Sequence, residues 1–91
     1  MDKKDYIEVF NAMVNGTPVS FQEKLLPMVS EYLTEIKYEN YDKMINLIAQ
    51  NPQMIQQTLP KLVEYYSNKY DILSVLQKDN FNNLKPILYY D

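Results

Sequence analysis

The sequence has no cysteine, no histidine, no tryptophan, no arginine and one glycine in 91 residues. Each absence removes a class of chemistry. Without cysteine there is no disulfide, no thiol nucleophile and no thiolate-bound zinc, and a reducing compartment is compatible. Without histidine, the side chain that most often serves as general base and metal ligand is missing. A single glycine, Gly16, cannot build a phosphate-cradling loop or a dinucleotide fingerprint. Catalysis would fall to carboxylates, lysines, tyrosines and hydroxyls, which need an enclosing pocket to shift their pKa values. A chain this short rarely encloses one. The expectation is a protein that is not an enzyme and holds no cofactor and no metal.

The charge balance excludes further classes. Nine basic residues, all lysine, face twelve carboxylates, for a net charge of −3. The lysines are scattered, and only Lys3 and Lys4 are adjacent. Nucleic-acid recognition favours a basic patch and the arginine fork, so nucleic acid is not an expected partner. The longest apolar runs, Leu25 to Val29 and Pro86 to Tyr90, fall far short of the roughly 18 residues that span a bilayer. The N-terminal residues carry aspartates and a glutamate where a signal peptide needs an apolar run. A soluble protein of the cytoplasm, away from membranes, is the expectation. The bias toward lysine, asparagine, tyrosine and isoleucine suits an AT-rich genome, that of a low-GC bacterium or its virus. For a virus the compartment is the host cytoplasm.

What is present reads as helix. Residues 1–91 form a single helical domain, large enough to bury roughly 60–65% of its unfolded surface. A first helix runs from about Lys3 to Val14, with Tyr6, Phe10, Met13 and Val14 on one face and Gly16 in the left-handed position behind it. A second begins at Thr17-Pro18 or at the Ser20–Glu23 capping box, with a stripe from Phe21 through Ile36. Pro27 lies inside that pattern and predicts a kink or a break. A third helix carries Tyr41, Met44, Ile45 and Ile48. Asn51-Pro52 ends it and caps a fourth, which carries Ile55, Leu59, Leu62, Val63 and Tyr66, contains Pro60 and stops at Ser67-Asn68. A fifth carries Ile72, Val75 and Leu76, and a last one Phe81, Leu84 and Leu88, interrupted by Pro86. The fold class is all-α, a small bundle of five or six short helices with no strand.

Two segments resemble each other. Leu26-Pro27, Glu31-Tyr32, Tyr41-Asp42 and Asn51 match Leu59-Pro60, Glu64-Tyr65, Tyr70-Asp71 and Asn80. The offset suggests two stacked helix-pair repeats. An irregular bundle is the alternative.

Two features point to binding. Glu31, Glu35 and Glu39 recur every four residues, so on a continuous helix they form an acidic stripe with neighbours about 5–6 Å apart. Such a stripe steers a basic protein partner, or is simply a solvated face. There are also nine tyrosines. Adjacent helical residues point about 100° apart, so neither the pair Tyr65 and Tyr66 nor the pair Tyr89 and Tyr90 can turn both members into one small core. Tyrosine and methionine are enriched at interface cores. The expected function is therefore a non-catalytic protein-binding module: a small regulator, inhibitor or adaptor. A self-assembling component that forms a homo-oligomer is the first alternative. A binder of a small ligand such as a nucleotide at an oligomer seam is the second.

Overall fold

The computed structural model describes residues 2–72 and 87–90. It is mostly helical. Helix α1 spans Lys3–Asn15, α2 Leu26–Glu35, α3 Tyr41–Gln50 and α4 Ile55–Tyr70. A wide π turn, Phe21–Leu25, leads into α2, and a 3-10 turn, Pro52–Met54, leads into α4. Strands β1, Val19–Ser20, and β2, Leu88–Tyr89, pair in parallel with Val19 opposite Leu88. This corrects the expectation of a strand-free chain: Val19, Leu88 and their neighbours form a short ladder. The expected fifth helix beyond Ile72, the start of the last helix and Pro86 lie outside the described residues. Among the described residues, no helix is long and apolar enough to cross a membrane.

Local chemistry sets the helix ends. Asp2 caps α1 through a reciprocal box: the Asp5 N–H donates to Asp2 Oδ1 (3.2 Å) and the Asp2 N–H donates to Asp5 Oδ2 (3.1 Å). The Asp2 amide holds the Asp5 carboxyl below its usual pKa. Gly16, at φ 74°, closes α1, with the Thr17 N–H reaching the Ala12 carbonyl. The same motif closes α2: the Tyr38 N–H reaches Leu33 and the Lys37 N–H reaches Thr34. Here the left-handed position belongs to Lys37, at φ 54°. Asn51 caps backward. Its side-chain amide donates to the Leu47 carbonyl at the end of α3, and it makes no side-chain cap on the following turn.

Ser20 is the true start of the second helical segment, because its hydroxyl accepts the Glu23 N–H. The break expected at Pro27 takes the form of the π turn, in which the Leu26 N–H reaches back five residues to Phe21. Pro27 then sits in the first turn of α2, where proline's missing donor costs little. Pro60 lies well inside α4 without ending it. Its missing N–H leaves the Gln56 carbonyl without a ladder donor, but both residues face solvent, where water serves.

Helix α4 also runs straight through Ser67-Asn68, which had been expected to stop it. Ser67 is buried, and Tyr66 and Tyr70 stack against α1, so tertiary packing overrides weak propensity. The two matched segments play unlike parts: Tyr41 opens a helix whereas Tyr70 closes one. Among the described residues, nothing beyond the sequence match supports a repeat, and Asn80 lies outside them.

One core gathers the predicted stripes. Tyr6, Phe10 and Met13 from α1 meet Leu25, Met28 and Val29 from the second segment and Ile55, Leu59, Leu62 and Tyr66 from α4. Helix α3 is peripheral, with Ile48 its one fully buried side chain. Residues 87–90 lie against β1 and Phe21. The Val19 N–H donates to the Ile87 carbonyl (2.8 Å), and the Tyr90 ring lies 5.6 Å from Phe21.

Candidate functional site

Five tyrosines from three helices converge beside the core. Tyr6 comes from α1, Tyr32 from α2, and Tyr65, Tyr66 and Tyr70 from α4. Tyr6 and Tyr66 are fully buried and stack at 4.0 Å between centroids, with planes 20° apart. Tyr66 stacks in turn on Tyr70 at 5.9 Å, one helical turn away. Tyr65 stands edge-on to Tyr66 at 5.0 Å and to Tyr32 at 5.4 Å. These are the offset and tilted arrangements that the ring quadrupole favours.

This cluster answers the argument that adjacent tyrosines cannot share a core. Tyr66 does turn inward. Tyr65 stays half-buried at the rim, where its ring covers the edge of its neighbour. The second pair behaves differently: Tyr89 is 48% exposed and Tyr90 59%, beside Ile87 at 51%.

The carboxylates of the acidic stripe are divided among three environments. Glu31 Oε2 accepts the Tyr6 hydroxyl at 2.6 Å. Glu35, one turn on, pairs through Oε1 with Lys69 of α4. Glu39 is exposed, because α2 ends at Glu35 and the left-handed Lys37 redirects the chain. The continuous stripe of three is therefore corrected to a pair, Glu31 and Glu35, on the tyrosine side of α2.

The electrostatics follow from these contacts. Burial, reinforced by the hydrogen bond to Glu31, pushes the Tyr6 phenol well above its usual pKa. Burial does the same to Tyr66. The Lys69 ammonium holds Glu35 below the usual carboxylate range, and Glu35 holds Lys69 above the usual lysine value. Lys69 also lies over two rings, 5.3 Å from the Tyr70 centroid and 5.7 Å from that of Tyr66. Two buried polar atoms beside this pair, Glu35 Oε2 and the Tyr66 hydroxyl, have no hydrogen-bond partner among the described residues.

Next to the cluster, Tyr32, Lys61, Glu64, Tyr65 and Asn68 line a shallow hollow of about 260 Å³ between α2 and α4. It has half-buried aromatic walls and a polar rim. Among the described residues, no group of three or more acidic side chains is placed to hold a metal ion. Sequence reasoning missed Tyr6, Tyr32, Tyr70 and Lys69 as members of this face. The spacing of Tyr66 and Tyr70 at i, i+4 was the available signal.

The chain matches no protein-family model, no curated protein and no solved structure, so the chemistry of this face is read from its own residues.

Proposed function

We propose that this protein is a non-catalytic binding module that engages a basic protein partner through the α2–α4 face. The observation that supports this most is the placement of Glu31 and Glu35 beside the half-buried rings of Tyr32, Tyr65 and Tyr70. Protein interfaces centre on partly exposed aromatic side chains that lose their remaining water on docking. Glu35 is paired with Lys69, so Glu31, which accepts only a neutral hydroxyl, is the carboxylate that adds long-range attraction for a positively charged partner. The module acts as a regulator, inhibitor or adaptor: occupancy of the partner's surface is the whole of its chemistry.

Capture from a lysate with the tagged chain, paired with light scattering on the purified protein, tests this reading. A single stoichiometric partner, with an association rate that falls as salt rises, is the expected result. A partner whose association is indifferent to salt removes the carboxylates from the account. A clean capture with a monomer contradicts the reading.

Self-assembly is the second reading, and the C-terminal strand favours it. Ile87, Tyr89 and Tyr90 are exposed apolar residues in and around β2, flanking the half-buried Leu88. A clean capture with a defined oligomer selects this reading over the first.

A further inference from the structure

The geometry points to the Glu35 end of this face as a recognition site for an arginine side chain of the partner, occupied in the free protein by the chain's own Lys69. The inference rests on the reading of the face as a surface for a basic partner, and it names the group recognised.

Lys69 shows that the site accepts a cation. Its ammonium is held by a carboxylate, Glu35, and by the faces of Tyr66 and Tyr70. Two ring faces and a carboxylate are the groups that recognise organic cations. The lysine nevertheless leaves the site half satisfied. It engages Glu35 Oε1 only, while Glu35 Oε2 has the Tyr65 and Tyr66 hydroxyls as neighbours but no hydrogen bond of full geometry to either among the described residues.

An ammonium is a point charge with a small, strongly hydrated head. A guanidinium is a planar fork that bonds both oxygens of one carboxylate and lies flat on an aromatic ring. It can bond Glu35 Oε2, which Lys69 does not reach and which no hydroxyl bonds with full geometry among the described residues. The present occupant is also easily displaced, because the lysine side chain is 38% exposed and exposed ion pairs contribute little to stability. The chain contains no arginine. The fork therefore has to come from a different protein, and a second copy of this chain cannot supply it.

The test is a titration of tyrosine ring resonances with two capped peptides that differ only in carrying arginine or lysine. For the wild-type protein, the arginine peptide is expected to shift the Tyr66 and Tyr70 rings saturably, and the lysine peptide to bind more weakly. Lys69→Met removes the internal competitor and is expected to tighten arginine binding up to about fivefold. Glu35→Gln in that background is expected to abolish it. Equal binding of the two peptides overturns the inference, as does a Lys69→Met variant that stays folded and binds no tighter. If Lys69→Met does not fold, the wild-type comparison of arginine with lysine decides alone. Absence of any peptide shift, in a protein that still captures its partner, sinks the arginine site and leaves the binding reading standing. Absence of both sinks the reading itself.

Discussion

Tyr6 and Tyr66 stack inside the protein, and their hydroxyls differ: Tyr6 donates to Glu31 at 2.6 Å, whereas the Tyr66 hydroxyl makes no hydrogen bond of full geometry among the described residues. The pair joins α1 to α4, and Glu31 ties Tyr6 to α2. Tyr66→Phe removes a buried, unpaired hydroxyl and is expected to be neutral or stabilising. Tyr6→Phe breaks a hydrogen bond to a carboxylate and is expected to cost about 1.5–3 kcal/mol. Tyr66→Ala empties the centre of the cluster, at about 3–5 kcal/mol. Denaturant unfolding of the three variants checks the order. A Tyr66→Phe loss as large as that of Tyr6→Phe contradicts the hydrogen-bond assignment.

Alkaline pH attacks the same pair. Both phenols have folded-state pKa values raised by burial above the ordinary value of 10.0. Their stabilising contribution is complete below pH 10 and declines as pH rises above it. Two such groups lower stability by up to about 2.7 kcal/mol per pH unit in that range. Lys69, also raised, acts in the same direction as pH rises. Unfolding is therefore expected to accompany the final part of the rise in tyrosinate absorbance. Ionisation of all the tyrosines without loss of helical circular dichroism counts against a buried pair.

Acid pH acts on the other partner. Lys69 lowers the folded-state pKa of Glu35 below 4.5. The stabilisation is present above that value and is lost as pH falls through the lowered one. Glu35→Gln is expected to flatten the acid limb of the stability curve below the ordinary glutamate pKa. An unchanged limb would show that the pair is fully screened.

The two left-handed caps make an opposed pair of predictions. Gly16 has open space where a Cβ would lie, so Gly16→Ala costs backbone strain alone, about 1–2 kcal/mol. Lys37 already bears that strain, and Lys37→Gly is expected to stabilise by about 1 kcal/mol. Thermal unfolding midpoints that move in opposite directions confirm the assignment of both helix ends.

Much of the fold is legible in the sequence because helices announce themselves locally. The period of Tyr6, Phe10 and Met13, the glycine at 16, the Ser20–Glu23 spacing and the Asn51-Pro52 stop all act within a turn or two. Features made by distant residues are not legible. Two-residue strands carry no alternation, and Val19 meets Leu88 only through the fold. Ser67-Asn68 resembles a break because serine and asparagine are weak helix formers, and the Tyr66–Tyr70 packing that overrides them is tertiary. The tyrosine site follows the same rule. The count of tyrosines signals surplus aromatic area. It gives no hint that residues 6, 32, 65, 66 and 70 meet, or that Lys69 crosses to Glu35. Glu39 fails as part of the acidic stripe because a lysine, rather than a glycine, takes the left-handed position that ends α2.

The most direct test of the central claim is capture of the partner by two variants side by side, Tyr65→Ser and Tyr90→Ser, each first shown to unfold cooperatively. Binding through the α2–α4 face predicts that Tyr65→Ser loses the partner and Tyr90→Ser retains it. Retention by Tyr65→Ser with loss by Tyr90→Ser contradicts the account and moves the binding surface to the C-terminal strand.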